Sequence, residues 1–188
     1  MARYGLLLLL LFAFCGCGRE KIDAAGAAVE AAWGEFGRGL TAPRDLLGSL
    51  EGPVCAAADG KEACAQLREA ITTMAPVDLA RIDPTDRAAV EPVRRSLRSL
   101  GQAVERLDRF AGKEPLPEGA PLSEIARFKR QVEQTRADAE RYDTAVLTYN
   151  RALRTFPESV TNNMFLRLKS REYLNTDRRA RKLNAEKR

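Results

Sequence analysis

The apolar residues of this chain recur at alternating spacings of three and four in four separate segments. The longest of these stripes contains Ile125, Phe128, Val132, Thr135, Ala139, Tyr142, Val146, Tyr149, Leu153 and Phe156. This spacing places the apolar residues on one face of an α-helix. Because an isolated helix would leave that face in water, the stripes must pack against one another. No stretch of useful length alternates with a period of two, so the predicted fold class is all-α.

The other three stripes lie earlier in the chain. They are Ile22, Val29, Trp33, Phe36, Leu40, Leu47 and Leu50; Cys64, Leu67, Ile71 and Met74; and Val90, Val93, Leu97, Leu100, Val104, Leu107 and Ala111. Prolines predict the breaks, because Gly52-Pro53 should end the first helix and Pro157 the last. The predicted architecture is an elongated antiparallel bundle of three to four long helices plus a short C-terminal helix. An intermolecular coiled coil is the alternative.

The N-terminal residues have the layout of a secretory signal. Arg3 precedes an apolar run from Leu6 to Phe14, which is shorter than the ~20 residues that a transmembrane helix needs. Gly16 and Cys17 follow this run and resemble the lipobox of bacterial lipoproteins. The resemblance implies that residues 1–16 are a lipoprotein signal peptide and that Cys17 carries the lipid. An ordinary signal peptide and an uncleaved anchor are the alternatives, and each places the body outside the cytoplasm.

Two further cysteines, Cys55 and Cys64, flank a short segment that contains the turn signal Asp59-Gly60. In an extracytoplasmic protein, a cysteine pair around a turn forms a disulfide more often than a metal site. We therefore expect a Cys55–Cys64 disulfide, and two reduced thiols are the alternative.

Two segments resemble the LemA family of envelope-anchored helical proteins. Residues 29–54 are similar to the first helix of that family, with matches that include Val29, Trp33 and Leu40. Residues 141–157 resemble its paired Tyr-Asn motif followed by Phe-Pro. The matching residues there are Tyr142, Val146, Tyr149, Asn150, Phe156 and Pro157. Residues 164–174 resemble the closing aromatic and basic segment of the family.

The resemblance covers the first helix and the last third of the chain well, and the middle poorly. It implies that residues 17–175 form a LemA-like helical bundle that faces the periplasm and has no established catalytic activity. The chain departs from the family where Asp143 follows Tyr142 and where Pro43 lies inside the first helix. Since typical members are anchored by a transmembrane helix, this chain resembles a divergent, lipid-anchored relative.

The composition excludes several classes of catalytic site from this chain. The chain contains no histidine, which excludes Ser-His and Cys-His nucleophilic sites and removes the commonest ligand of transition metals. Phosphate-binding glycine loops and nucleophile elbows are also absent from the sequence. The carboxylates Glu133, Asp138, Glu140 and Asp143 alternate with arginines, which is typical of a solvated helix face. We therefore expect no catalytic residues, no metal site and no cofactor.

Trp33, Tyr142, Tyr149 and Asn150 are the residues of the family motif that most invite a functional interpretation. Trp33 lies on the apolar stripe between Val29 and Phe36, and packing in the core is the favoured interpretation. Packing is also favoured for Tyr142 and Tyr149, with each hydroxyl bound at the edge of the bundle. The alternative for this cluster is a polar layer that sets the helix register, as a buried asparagine does in coiled coils.

Basic residues are concentrated at the C-terminus. Nine Lys or Arg and three acidic residues lie from Arg167 to Arg188, which gives this segment a net charge of +6. The whole chain has a net charge of +5, so the residues before Arg167 have a net charge of −1. A solvated, frayed terminus explains this charge, and residues 176–188 are interpreted as a basic tail. The functional interpretation is attachment to an anionic envelope surface. Nucleic acid is not an expected partner, because the signal sends the body out of the cytoplasm.

The sequence thus predicts a lipid-anchored, non-enzymatic helical protein of the cell envelope that faces the periplasm. Its role would be structural or would consist of binding a protein partner that the sequence does not identify. The outer membrane is favoured over the inner, because Gly18 rather than an acidic residue follows Cys17. The alternative is a ligand-binding or enzymatic bundle with a pocket between its helices.

Overall fold

The computed structural model describes residues 2–57, 59–112, 121–155 and 158–175, and for residues 2–18 and 165 it describes the backbone alone. Helices α1 (Ala2–Ala56), α2 (Lys61–Met74), α3 (Arg87–Ala111), α4 (Leu122–Ala152) and α5 (Glu158–Thr161) follow one another along the chain. A 3₁₀ turn (Leu79–Arg81) precedes α3, and a π turn (Asn162–Leu166) follows α5. No strand occurs in these described ranges, and the all-α prediction is confirmed.

Consecutive long helices run in opposite directions. Along α1 and α4, Trp33 packs against Tyr142 with 5.0 Å between ring centroids, while Gly39 lies beside Thr135. Residue numbers therefore rise on α1 as they fall on α4. Contacts between α1 and α2, α2 and α3, and α3 and α4 follow the same antiparallel pattern, as in an up-and-down bundle.

The four stripes meet in one core. Nearly every predicted stripe residue whose side chain is described is buried or packs directly against the core. The largest fully buried side chains are Tyr142, Phe36, Phe128, Ile22, Leu47, Leu50, Leu67, Met74, Leu100 and Leu107. The intrachain bundle is therefore confirmed as the arrangement that removes the apolar faces from water.

Proline does not end α1 where the sequence predicts. The helix continues past Pro43 and Pro53 to Ala56, so the predicted end at Gly52-Pro53 is wrong. A proline supplies no N–H, and it leaves the carbonyl four residues earlier without its helix partner. For Pro43 that carbonyl belongs to Gly39, and Thr135 of α4 donates to it. Tertiary packing therefore compensates for the missing hydrogen bond.

The end of α1 and the start of α2 are joined covalently. Cys55 and Cys64 form a disulfide, with 4.9 Å between their Cα atoms. The turn between the helices includes Gly60, where a Cβ atom would collide with the main-chain oxygen of Val54. Glycine is therefore required for the tight reversal that brings the two cysteines together.

The predicted short C-terminal helix consists of α5 and the π turn that follows it. The chain is helical from Glu158 to Leu166 and then turns at Arg167, which has a left-handed backbone (φ 50). Residues 167–175 continue without regular secondary structure back along the bundle, where Tyr173 and Leu174 are buried. Across the described part of the chain, no helix has an apolar stretch long enough to cross a bilayer.

Candidate functional site

The principal polar cluster of the described residues surrounds the segment that we call the strap, residues 171–175. The strap crosses α3 and α4 and also contacts the loop between α2 and α3, where its Glu172 N–H donates to the Pro84 carbonyl at 2.8 Å. Four buried side chains form hydrogen bonds with the strap. They are Arg94, Tyr142, Asp143 and Asn150, and we call them the clamp.

Asp143 holds the end of the strap through two main-chain hydrogen bonds. The N–H of Leu174 donates to its Oδ1 at 2.7 Å, and the N–H of Asn175 donates to its Oδ2 at 2.9 Å. The residue is fully buried. A carboxylate accepts such bonds more strongly than a neutral group, which makes this contact a firm attachment for the strap.

Asn150 lies seven residues after Asp143 on α4 and binds the start of the strap. Its Nδ2 donates to the Arg171 carbonyl at 2.9 Å, and its Oδ1 accepts from the Arg171 N–H at 2.8 Å. The amide therefore satisfies both main-chain groups of one residue, as a neighbouring β-strand would do. Arg171 is held further by its side chain, whose Nη2 lies 2.6 Å from Glu30 Oε1 on α1.

Arg94 and Tyr142 hold the middle of the strap from opposite sides. The Arg94 guanidinium donates to the Tyr173 carbonyl from Nε at 2.9 Å and from Nη2 at 2.6 Å, and it forms an ion pair with Glu172 at 3.0 Å. The Tyr142 hydroxyl donates to the Glu172 carbonyl at 3.2 Å. Only 3% of the Arg94 side chain is exposed, so the carbonyl and carboxylate partners compensate a buried charge.

Aromatic rings enclose the clamp on its α1 side. Trp33 lies against both Phe36 and Tyr142, and the Arg171 guanidinium lies 6.0 Å from the centre of the Tyr149 ring. Burial raises the pKa of the Tyr142 hydroxyl well above its ordinary value, and that of Tyr149 in the same direction. Both phenols are therefore protonated at neutral pH.

The clamp binds mainly main-chain groups of the strap, and the ion pair between Arg94 and Glu172 adds a contact with a strap side chain. Together with Pro84, it binds seven polar groups of the main chain of residues 171–175. It holds the two buried strap side chains, Tyr173 and Leu174, against the core. Chemically, this arrangement binds an extended peptide, and its occupant is the chain itself.

Sequence reasoning found half of this cluster. Tyr142, Tyr149, Asn150 and Trp33 do lie together, but Asn150 binds the strap instead of only packing or setting a helix register. Asp143, predicted on a solvated face, is buried, and Asp138 is 6% exposed. Asp143 and Asn150 share the seven-residue spacing of Tyr142 and Tyr149, and this repeat could have indicated their burial. Arg94 was missed, although it directly follows the stripe residue Val93.

Several predicted features lie outside the described residues. Phe156 and Pro157, the basic tail 176–188 and the Cys17 side chain are among them. The backbone of Cys17 belongs to α1, two residues before Arg19. Among the described residues, no group of three or more His, Cys, Asp or Glu side chains could hold a metal ion.

One open cavity borders the clamp. It has a volume of about 450 Å³ and is lined by Arg94, Arg98, Arg136 and Glu140, with Leu97, Ala139 and the end of the strap beside them. Arg94 and Arg98 both bond to Glu91, which neutralises part of the charge at this cavity.

No family model, curated protein or solved structure matches the chain.

Proposed function

We propose that this chain is a lipid-anchored, non-enzymatic helical protein of the bacterial cell envelope, and that it acts as a structural or partner-binding element. The observation that carries the proposal is the engagement of its buried polar groups. In the part of the chain that the structure describes, the clamp side chains all bind the strap, and Ser99 Oγ is the single buried side-chain polar atom without a partner. A catalytic or carrier site would instead present unpaired polar groups to a pocket.

We propose Cys17 as the anchor, on the sequence grounds given above, and LemA membership on the paired Tyr-Asn motif. Trp33 and Tyr142, which come from the two best-matching segments, contact each other. In this proposal, α1 extends from the anchor into the bundle, and the outer faces of α2, α3 and α4 remain available to a partner.

Metabolic labelling with a palmitate analogue tests the anchor. Cys17→Ala should lose the label, whereas Cys15→Ala, the neighbouring cysteine, should keep it. Unchanged labelling of Cys17→Ala would remove the lipid anchor from the proposal. Crosslinking in intact cells, followed by identification of the captured proteins, tests the partner-binding role.

The cavity beside the strap supports a second candidate, a bundle that binds a small anion. Arg98 and Arg136 line this cavity together with the acidic Glu140, so the charge there is mixed. Thermal unfolding with and without inorganic phosphate distinguishes the candidates. We expect no shift in Tm beyond the general effect of salt, and a shift that Arg136→Ala abolishes would favour the carrier.

A further inference from the structure

Three large apolar side chains are exposed around the π turn. Val160, Met164 and Leu168 expose 39%, 65% and 41% of their surface. Among the described side chains, Leu122 is the only other large hydrophobic residue exposed to this degree, and it begins α4 at the opposite end of the bundle. The apolar exposure is therefore concentrated in one region. Contiguous exposed apolar surface often marks a contact with a membrane or a protein.

The same region is basic. Leu168 lies between Arg167 and Lys169, and all three side chains are exposed. Residues 151–171 contain five basic residues and one acidic residue, a net charge of +4: Arg151, Arg154, Arg167, Lys169 and Arg171 against Glu158. Glu158 is bound to Lys21 at 2.8 Å, and the neighbouring acid Asp83 experiences the charges of Lys169 and Arg171. The acids of this region are therefore already offset by basic partners.

The position of this region relative to α1 indicates what covers it. The ion pair between Lys21 and Glu158 places α5 beside the N-terminal part of α1. Cys17 precedes Lys21 by four residues in the same helix, which places the proposed lipid site about 6 Å further along the helix axis at ~1.5 Å per residue. The proposed lipid site therefore lies at the end of the bundle that carries the exposed apolar residues.

We propose that the basal surface, which we define as Val160, Met164, Arg167, Leu168 and Lys169, rests on an anionic phospholipid surface. Its apolar side chains enter the headgroup region while its basic side chains meet the lipid phosphates, the pattern of interfacial protein segments. This inference builds on the proposed membrane anchoring, because the anchor brings this end of the bundle to the bilayer. It adds an orientation and a second contact.

Tryptophan fluorescence in brominated vesicles tests the contact. Leu168→Trp and Leu122→Trp form a matched pair, since both leucines are 41% exposed and they lie at opposite ends of the bundle. Each full-length variant is reconstituted in brominated phosphatidylglycerol or brominated phosphatidylcholine vesicles, and the wild-type signal of Trp33 is subtracted. We expect quenching of the Leu168→Trp signal in phosphatidylglycerol, much less in phosphatidylcholine, and none for Leu122→Trp.

A charge reversal tests the electrostatic part. Lys169→Glu in the Leu168→Trp background should weaken the contact at least about fivefold in phosphatidylglycerol, the scale for one basic residue at an anionic surface. Lys61→Glu, at the start of α2 near the opposite end, is the control and should leave the quenching unchanged. Equal effects of the two reversals would contradict a local contact.

The outcomes separate this inference from the anchor. If the chain floats with the vesicles and Leu168→Trp is not quenched, the anchor stands and the basal surface does not touch lipid. If the Leu168→Trp signal is quenched while Cys17→Ala retains the palmitate label, the surface stands and the proposed lipid site fails. A chain that remains in the aqueous fraction contradicts both. Burial of Leu168→Trp without vesicles, dependent on protein concentration, would assign this surface to a second copy.

Discussion

The hydroxyl of Thr135 on α4 lies 2.9 Å from the carbonyl oxygen of Gly39 on α1. Pro43 withholds the helical N–H that this carbonyl would otherwise accept. Gly39 also permits the close approach, because a Cβ atom at this position would lie 2.6 Å from Asp138 Oδ2. A side chain of α4 thus supplies the hydrogen bond that the backbone of α1 lacks at this position.

This relationship predicts a coupling between Thr135 and Pro43. Thr135→Val keeps the shape of the side chain and should lower the free energy of unfolding by about 1–3 kcal/mol, since it leaves a carbonyl with no donor. The loss should shrink in a Pro43→Ala background, where an N–H is restored. Urea unfolding of the wild type, the two single variants and the double variant measures this coupling. Thr148→Val, an exposed position on α4, is the control and should change stability by less than about 0.5 kcal/mol.

Removing the charge of Asp143 should release the end of the strap. Asp143→Asn replaces one of the two acceptor oxygens by an amide NH2 group, which cannot accept from a main-chain N–H, and should destabilise this attachment by about 2 kcal/mol. We expect faster amide hydrogen exchange at Leu174 and Asn175, with the core of α3 unchanged. Asp45→Asn, at an exposed position on α1, is the control. Equal exchange in the variant and the wild type would refute the role of the carboxylate.

Arg94 should be sensitive even to a conservative change. Arg94→Lys keeps the charge but loses the paired donation to the Tyr173 carbonyl, and Arg94→Ala removes both this donation and the ion pair with Glu172. The alanine variant should lose about 3–5 kcal/mol, and the lysine variant less. Thermal unfolding provides the comparison, and Arg95→Ala is the neighbouring control. An alanine variant as stable as this control would show that the guanidinium does not stabilise the strap.

The buried Tyr142 hydroxyl should make stability depend on alkaline pH. Because burial raises the pKa of Tyr142 in the folded state, the folded protein keeps a proton that the unfolded chain loses near pH ~10. This contribution is fully present below that pH and falls as the pH rises above it, by at most about 1.4 kcal/mol per pH unit. Urea unfolding between about pH 9 and 11 measures the slope. Tyr142→Phe should have a shallower slope, and an identical slope would exclude this tyrosine as its source.

The disulfide between Cys55 and Cys64 should raise the free energy of unfolding. Closing a loop with a sequence separation of 9 contributes about 2–3 kcal/mol in the chain-entropy account. Reduction should lower the urea midpoint of the wild type and leave a Cys55→Ser, Cys64→Ser double variant unchanged. Thiol labelling of protein extracted without reductant measures the oxidation state in the cell. Two reactive thiols at these positions would show that the pair is reduced there.

The bundle could be predicted from the sequence because periodicity reports burial directly. The α4 stripe from Ile125 to Leu153 is buried at every predicted position, from the aromatic Tyr142 to the polar Thr135. Helix ends are harder to predict, because the local cost of Pro53 favours an end at that residue, whereas packing in the folded protein extends α1 to Ala56.

The clamp could not be predicted from the sequence alone, because its partner is a main chain. Backbone groups are the same at every residue, so Arg171 and Leu174 carry no signal that they will meet Asn150 and Asp143. The burial of Arg94 likewise depends on a segment 79 residues further along the chain.

That separation in sequence has a consequence for the assembly of the protein. Until residues 171–175 have been synthesised, Arg94, Asp143 and Asn150 lack the main-chain partners that they bind in the folded protein. An incomplete molecule would therefore display a polar gap in its side, open to water and to proteases. Binding of residues 171–175 fills that gap, so protection of this side of the bundle from proteases depends on the strap.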